Sequence, residues 1–178
     1  IQDQYIITFG GLRAIEFTPL GKIISKKIII PESIKEDFNN SLMLFYTKIT
    51  RSADKILSSI NIQTHKPLLD QSKIFAHDGV TALLKGDLKR FGQLLDLYWQ
   101  TKKQLSDWIS NETIDEMYKT VKNTGAIGGK IIGAGGGGFL LVMFSASQRA
   151  KIREALKDYK ELPFRFTNVG SKIIFNDE

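Results

Sequence analysis

The chain has 178 residues, of which 42% are hydrophobic, and it contains no cysteine. A chain of this length and composition fits one domain, or one domain with part of another, and can bury a substantial core. The absence of cysteine excludes disulfide scaffolds, thiolate zinc sites and cysteine nucleophiles, and it fits a reducing cytoplasm. The first residue is Ile1 instead of Met, which is a sign of processing, of a shortened expressed form or of a start within a longer protein.

The chain carries 25 Lys and Arg residues against 19 Asp and Glu residues, a formal net charge of +6. Such an excess can signal a nucleic-acid or acidic-ligand partner. The cations are scattered, however, and the densest clusters are pairs such as Lys102 with Lys103. A solvated, lysine-rich surface explains this pattern better, so we predict no nucleic-acid partner. No apolar run approaches the roughly 18 residues that cross a bilayer, so we expect no membrane partner and a cytoplasmic location.

The first third of the chain predicts a hairpin, a connection, a buried strand and a helix. The predicted elements are a strand over 11–17, a strand over 22–30, a short helix or loop over 32–40, a strand over 42–46 and a helix over about 50–62. Residues 18–21 supply the turn of the hairpin. Pro31 ends the hairpin, because proline cannot donate to a strand ladder.

The rest of the chain predicts helices first and strands later. The predicted elements are helices over 68–84, 88–105 and about 112–121, strands over 130–132 and 139–144, a helix from Ser147 to Leu156, and a final pair of strands over 164–166 and 172–175. Asp87 follows a glycine and precedes an apolar periodic segment, which predicts a helix N-cap. Strands mixed with helices packed to one side describe an α+β sandwich.

The hairpin and the later elements are expected to belong to different domains. The predicted strands and helices from residue 42 onward are sufficient to form the sandwich without the hairpin. We therefore predict that the hairpin is the end of another domain. We predict one unit over residues 1–35 and a second over residues 36–178.

Eight of the 15 glycines lie in residues 125–138, which read GAIGGKIIGAGGGG, between two apolar predicted strands. Glycine is entropically costly to order and has no side chain to pack, so this run indicates backbone conformations or close approaches that other residues cannot adopt. Successive exposed N–H groups in such a loop form a concave, partly positive surface for anions. A wide turn between antiparallel strands is the simpler alternative, although four consecutive glycines exceed what a hairpin needs.

Two common phosphate-binding motifs are excluded for this segment. Lys130 precedes the last glycines and no Gly-Lys-Ser/Thr sequence follows them, so it is not a Walker loop. A strand, not a helix, comes next, so it is not a Rossmann fingerprint. The segment instead resembles the third conserved motif of the GHMP kinases, a Gly-Ala-Gly-rich turn in the carboxy-terminal domain.

The resemblance implies a ferredoxin-like α+β domain, preceded here by a remnant β-hairpin of the amino-terminal domain. It also implies an active-site loop that closes over the substrates and supports a phosphate-binding loop of the first domain. The residues of this active-site loop are Gly133, Ala134, Gly135, Gly136, Gly137 and Gly138.

A second resemblance lies near the start of the chain. Gln2-Asp3-Gln4-Tyr5 followed by Phe9-Gly10-Gly11 is similar to the Asp-Gln segment that carries the catalytic aspartate in galactokinases. A carboxylate suits phosphoryl transfer, since it can orient a sugar hydroxyl and accept its proton. The resemblance implies that Asp3 is catalytic, whereas a carboxylate near a chain end, taken alone, is usually a solvated surface group.

A third resemblance narrows the subgroup to heptose-phosphate kinases. The segment over 45–53 resembles their Phe-Tyr-Thr-Gly-x-x-Arg-x-Ala sequence, with Lys48 in place of glycine, which puts the backbone there in doubt. Arg51 is implied to bind a sugar phosphate, because its planar fork can hold phosphate oxygens in a bidentate way. Trp99 and Lys102, one helical turn apart, are implied to line the sugar pocket. The alternatives are a surface arginine and a buried tryptophan with a snorkelling lysine.

In the GHMP kinases the main phosphate loop and the Mg²⁺ ligands come from the amino-terminal half of the enzyme. The main phosphate loop does not occur in this sequence. We therefore assign no metal ligand here and expect ATP and Mg²⁺ to be bound mainly by a missing amino-terminal half, so that residues 1–178 alone are inactive.

The resemblance predicts an ATP-dependent kinase that phosphorylates a heptose 7-phosphate, at the anomeric hydroxyl, for nucleotide-activated heptose synthesis in bacteria. Its partners would be the sugar phosphate, ATP and the missing half, and a homo-oligomer is left open. Galactokinase, fucokinase and mevalonate-type kinases remain open within the same class. A non-catalytic ferredoxin-like module that binds RNA or a regulatory ligand is the alternative from another class, although no aromatic RNA-binding motif lies on a predicted central strand.

Overall fold

The computed structural model describes residues 2–174. Its elements in chain order are α1 (Gln2–Phe9), β1 (Arg13–Phe17), β2 (Ile23–Lys27), α2 (Glu32–Asn40), β3 (Leu42–Tyr46), α3 (Ala53–Ser58), α4 (Lys66–Leu84), α5 (Leu88–Lys103), α6 (Glu112–Asn123), β4 (Gly128–Ile131), β5 (Phe139–Met143), a 3-10 turn (Ala146–Gln148) and α7 (Arg149–Ala155). Among these residues, no helix combines the length and hydrophobicity that crossing a membrane requires.

The main sheet is antiparallel and has the order β3–β5–β4. A short segment lies along the outer edge of β3, because Tyr46 N donates to Lys160 O at 2.9 Å and Leu162 N donates to Leu44 O at 2.8 Å. The sheet therefore has the order 160–162, β3, β5, β4. With helices inserted after the first and third of these strands in chain order, this is the split βαβ arrangement of ferredoxin-like domains. The predicted α+β, ferredoxin-like fold is confirmed.

Strand alternation places side chains of the sheet in two cores, one on each face. On the first face, Met43, Phe45, Leu140 and Val142 are buried against α6 and α7. Residues one position along each strand face the opposite way, because successive side chains of a strand alternate. Leu42 and Met143 are thus buried in a second core, which is built with helices α2, α4 and α5.

The hairpin of β1 and β2 forms a separate sheet, in which Arg13 pairs with Lys27 and Phe17 pairs with Ile23. The hairpin predicted from the sequence is thus confirmed. The domain boundary predicted between residues 35 and 36 falls inside α2 and stays a prediction. Helix α2 carries Phe38 into the second core, so its second half belongs with the main sheet.

Two predictions about the end of the chain are wrong. Ser147 does not cap the last helix, since it lies inside the 3-10 turn, and α7 begins at Arg149. The described part of the final strand pair, residues 164–166 and 172–174, forms no strand. Phe166 instead stacks on Phe38 at 5.0 Å between ring centroids, and its N–H donates to Asn39 Oδ1 at 2.9 Å. The predicted strand residue Phe175 lies outside the described residues.

Candidate functional site at the glycine loop

The connection between β4 and β5, residues 132–138, is called the glycine loop below. Four of its glycines have left-handed backbones, with φ of 81° at Gly133, 119° at Gly135, 70° at Gly136 and 86° at Gly138. At Gly137 a Cβ would lie 2.6 Å from Ile49 O, which leaves no room for a side chain. The loop therefore needs glycine both for its conformation and for its close packing, as the sequence predicted.

Backbone hydrogen bonds fix the glycine loop on the body of the domain. Gly136 N donates to Ile109 O at 2.7 Å, and Gly138 N donates to Ile49 O at 2.9 Å. These two N–H groups point inward and are not available to an anion, so the expectation that loop amides face an anion stays a prediction for the other amides of the loop. The loop is held as a rigid, packed surface.

Four side chains hold the carbonyl groups of the same loop. They are Lys102 Nζ, which donates to Gly133 O at 2.6 Å, Arg51 Nε, which donates to Gly135 O at 2.6 Å, Asn111 Nδ2, which donates to Gly136 O at 3.3 Å, and Thr47 Oγ1, which donates to Gly138 O at 3.0 Å. Hydrogen bonds from charged donors are stronger than neutral ones, so Lys102 and Arg51 contribute most to this anchoring. The loop conformation is thus set by residues from three distant parts of the chain.

The surroundings of the loop are electropositive. Burial, together with the nearby charges of Lys130 and Arg51, lowers the pKa of Lys102 to about 8. None of these three cations forms an ion pair with another described residue. A group of cations without carboxylate partners favours an anionic ligand.

Arg51 joins the loop to an open cleft. It lines a concave region of about 200 Å³ together with Tyr46, Ile49, Thr50 and Gly138. Only Nε of Arg51 is used for the bond to Gly135 O, and its two terminal nitrogens make no hydrogen bond within residues 2–174. A guanidinium held by one nitrogen and open at the other two is suited to bind a phosphate.

Lys48, which stands where the resembled segment has glycine, adopts the left-handed backbone conformation typical of glycine. Lys48 has φ of 63°, and it is the non-glycine residue with positive φ in the described chain. Its ammonium lies 5.3 Å from the ring centroid of Tyr159. The substitution therefore leaves the left-handed turn before Arg51 in place, at some cost in strain.

Trp99 and Lys102 support the loop from inside the domain. The side chain of Trp99 has no exposed surface and packs 6.3 Å from the ring of Tyr118. A ligand cannot reach a completely buried ring, so the predicted contact between Trp99 and a sugar is corrected to a packing role. Lys102 is only 8% exposed, and its ammonium anchors Gly133 instead of extending into an open pocket.

Asp3 lies on the exposed helix α1 and makes no hydrogen bond or ion pair with another described residue. Helix α1 is attached to the end of the chain, where Ser171 N donates to Ile7 O at 2.9 Å. The structure does not bring Asp3 and the glycine loop into contact, so its catalytic role stays a prediction.

Sequence reasoning missed Asn111. Its Oδ1 accepts from Ile114 N at 3.1 Å as the N-cap of α6, while Nδ2 reaches Gly136 O. An asparagine immediately before a helix predicts an N-cap from sequence. The sequence does not predict that its side chain also binds a loop 25 residues away. Within residues 2–174, no three His, Cys, Asp or Glu side chains cluster as they would around a metal ion.

Residues 80–162, which contain α6, β4, the glycine loop and β5, match the family model described as GHMP kinases C terminal. This part of the chain therefore matches the C-terminal domain of the GHMP kinases. This confirms the family resemblance that the glycine motif indicated.

Individual relatives include kinases of two different sugars. The chain is 30% identical over 183 residues to the D-glycero-alpha-D-manno-heptose 7-phosphate kinase of Campylobacter jejuni, an alignment that covers 96% of this chain and 52% of the relative. It is 29% identical over 167 residues to the L-fucokinase/L-fucose-1-P guanylyltransferase of Bacteroides fragilis, covering 88% of this chain and 17% of the relative. The chain thus spans about half the length of the heptose kinase that it matches.

A solved structure has the same fold. The crystal structure of a D-glycero-D-manno-heptose 1-phosphate kinase from Bacteroides thetaiotaomicron superposes with a TM-score of 0.73 and 26% identity. The superposition covers 98% of this chain and 49% of that one.

Proposed function

We propose that this chain is the C-terminal part of an ATP-dependent sugar kinase that phosphorylates a heptose 7-phosphate at its anomeric hydroxyl. The observation that carries the proposal is the glycine loop, whose carbonyls are held by Arg51 and Lys102 while Arg51 also faces a cleft. Similarity to a heptose 7-phosphate kinase over 96% of the chain supports the choice of substrate. The product would enter nucleotide-activated heptose synthesis in a bacterial cytoplasm.

The anchored loop suits phosphoryl transfer, which depends on positioning and on electrostatic stabilisation more than on covalent chemistry by the protein. A loop fixed by two backbone and four side-chain hydrogen bonds loses little freedom when substrates bind, so it can hold a reacting group in place at low entropic cost. Arg51 would bind the phosphate that the sugar already carries, through its two terminal nitrogens.

Asp3 would act on the acceptor. In the proposed reaction the sugar hydroxyl attacks the γ-phosphorus of ATP, the bond from that phosphorus to the bridging oxygen breaks, ADP leaves, and the hydroxyl proton passes to the Asp3 carboxylate. Bound Mg²⁺ would neutralise the phosphate charge. The described residues offer no carboxylate cluster for it, so its ligands are proposed to lie outside this chain.

An acceptor assay tests the proposal on the complete polypeptide, which means this chain together with the proposed amino-terminal half. ADP release is measured with ATP, Mg²⁺ and one of three acceptors, namely heptose 7-phosphate, L-fucose or mevalonate. We expect kcat/KM for heptose 7-phosphate to exceed the other two by at least about a hundredfold, because a built phosphate site rejects acceptors that leave its cation unpaired. A preference for L-fucose, the substrate class that the Bacteroides fragilis relative suggests, would replace the heptose assignment.

A further inference from the structure

A second cavity lies between the hairpin, helices α4 and α5, and the main sheet, and none of its lining residues belongs to the glycine loop. Its volume is about 500 Å³, inside the range of roughly 300–1,000 Å³ that is usual for small-molecule sites. Its walls are mainly aromatic and aliphatic and include Phe38, Phe75, Leu83, Phe91, Leu94 and Leu141. It shares no lining residue with the cleft at Arg51.

One cation faces this apolar cavity without a counter-ion. Lys130 comes from β4, where it pairs with Leu141, and its side chain lines the cavity. Its ammonium lies 4.6 Å from the ring centroid of Tyr98. Within residues 2–174, Lys130 forms no side-chain hydrogen bond and no ion pair, and burial lowers its pKa. A charge in apolar surroundings is unfavourable unless it is paired.

The other cation of the cavity is already engaged. Arg13 donates from Nε to Gly10 O at 2.9 Å, from Nη1 to Ser25 Oγ at 3.3 Å, and from Nη2 to Phe9 O at 3.4 Å. Lys130 is therefore the group that can receive an anion. Lys102, itself close enough for its pKa to be affected by Lys130, adds positive potential and no competing carboxylate.

We infer that this cavity is a binding site for a small amphiphile with one anionic head group, which pairs with Lys130 while its apolar body fills the cavity. A small hydrated anion alone would leave the apolar walls uncovered, and a neutral apolar molecule would leave Lys130 unpaired. An amphiphile satisfies both requirements, and head groups of the carboxylate or phosphate-monoester kind share this chemistry. The inference does not depend on the proposed kinase activity.

Titration calorimetry of the complete polypeptide tests the site with decanoate as the probe. We expect saturable one-to-one binding that weakens at least about tenfold in Lys130→Met, the loss typical of a charge-assisted hydrogen bond. Lys151→Met, which removes an exposed lysine on α7, is the matched control and should bind like the wild type. Decan-1-ol, which has a similar body without charge, should also bind at least about tenfold more weakly.

Further variants keep the test decisive if Lys130→Met folds poorly. Lys130→Arg retains the charge and should retain binding. Ala76→Trp places a large ring at an exposed position of the cavity lining and should abolish binding without disturbing the buried core. Decyl phosphate in place of decanoate shows which head group is preferred. No binding by the wild type, equal binding of decanoate and decan-1-ol, or undiminished binding by Ala76→Trp would each overturn the inference.

Discussion

The ammonium of Lys102 donates a 2.6 Å hydrogen bond to the carbonyl of Gly133, across 31 residues of chain. This bond joins the end of helix α5 to the first glycine of the loop. The lysine is buried and carries no ion pair within the described residues, so its protonation state is coupled to folding.

The stability of the protein should therefore depend on pH through Lys102. Its folded-state pKa of about 8 lies below its ordinary value of 10.5, chiefly because of burial. Between these values the unfolded chain binds more protons than the folded one, so the contribution of Lys102 to stability rises with pH. Denaturant unfolding should show the free energy of the wild type rising, relative to Lys102→Met, between about pH 8 and pH 10.5. A difference that is flat or falls over this window would contradict the coupling, and Lys151→Met serves as control.

Gly136→Ala should destabilise the fold more than Gly21→Ala. Both glycines have left-handed backbones, with φ of 70° and 76°, so both variants incur the same conformational strain. Only at position 136 would the added Cβ also meet packed atoms, namely Ile56 Cδ1 and Trp108 O, each at 2.7 Å. We expect Gly136→Ala to lower the free energy of unfolding by about 1–3 kcal/mol more than Gly21→Ala, from the cost of overpacking. Equal losses in denaturant melts would mean that the loop is not packed as described.

Two replacements of Lys48 test the left-handed turn before Arg51. Glycine adopts φ of 63° freely, whereas a β-branched residue is strongly disfavoured there. Both replacements remove the contact with Tyr159, so that contact cancels in the comparison. Lys48→Gly should be more stable than Lys48→Val by about 1–2 kcal/mol in thermal or denaturant unfolding. A more stable valine variant would show that the backbone at position 48 is not left-handed.

Arg51→Ala tests whether Arg51 binds the sugar phosphate in addition to its hydrogen bond with Gly135 O. If the terminal nitrogens of Arg51 bind the phosphate of the sugar, the KM for heptose 7-phosphate should rise roughly tenfold to a hundredfold, from the loss of about 1.5–3 kcal/mol. The KM for ATP should change much less. Steady-state kinetics on the complete polypeptide measure both constants. Equal increases in the two constants would indicate that Arg51 serves only to hold Gly135.

Local patterns in the sequence were sufficient to predict much of this fold. The glycine segment predicted left-handed and crowded backbone between two strands, because only glycine tolerates either condition. Asp87 was predicted as an N-cap, and its carboxylate accepts from Arg90 N at 2.9 Å. Alternating and 3.6-residue periods located the strands and the long helices, since each reflects a face that must be buried.

Contacts between distant parts of the chain could not be predicted in this way. The bond from Arg51 to Gly135 spans 84 residues, and no local pattern encodes which carbonyl the guanidinium will meet. The pattern Phe164-Arg165-Phe166 alternates like a strand, but tertiary packing of Phe166 on Phe38 determined its structure. Trp99 was predicted to line the sugar pocket because its spacing from Lys102 fits one helix face. Its complete burial could not be predicted in this way, because the depth of burial depends on the whole fold.

The turnover of Asp3→Asn with heptose 7-phosphate and ATP tests the central claim most directly. Asparagine keeps the shape of the side chain but cannot accept the hydroxyl proton, and general-base and orienting roles are typically worth at least about a hundredfold in rate. We predict that kcat of the complete polypeptide falls by that factor or more while its unfolding transition stays unchanged, because Asp3 is exposed. Near-normal turnover in a folded Asp3→Asn variant would contradict the proposed kinase mechanism.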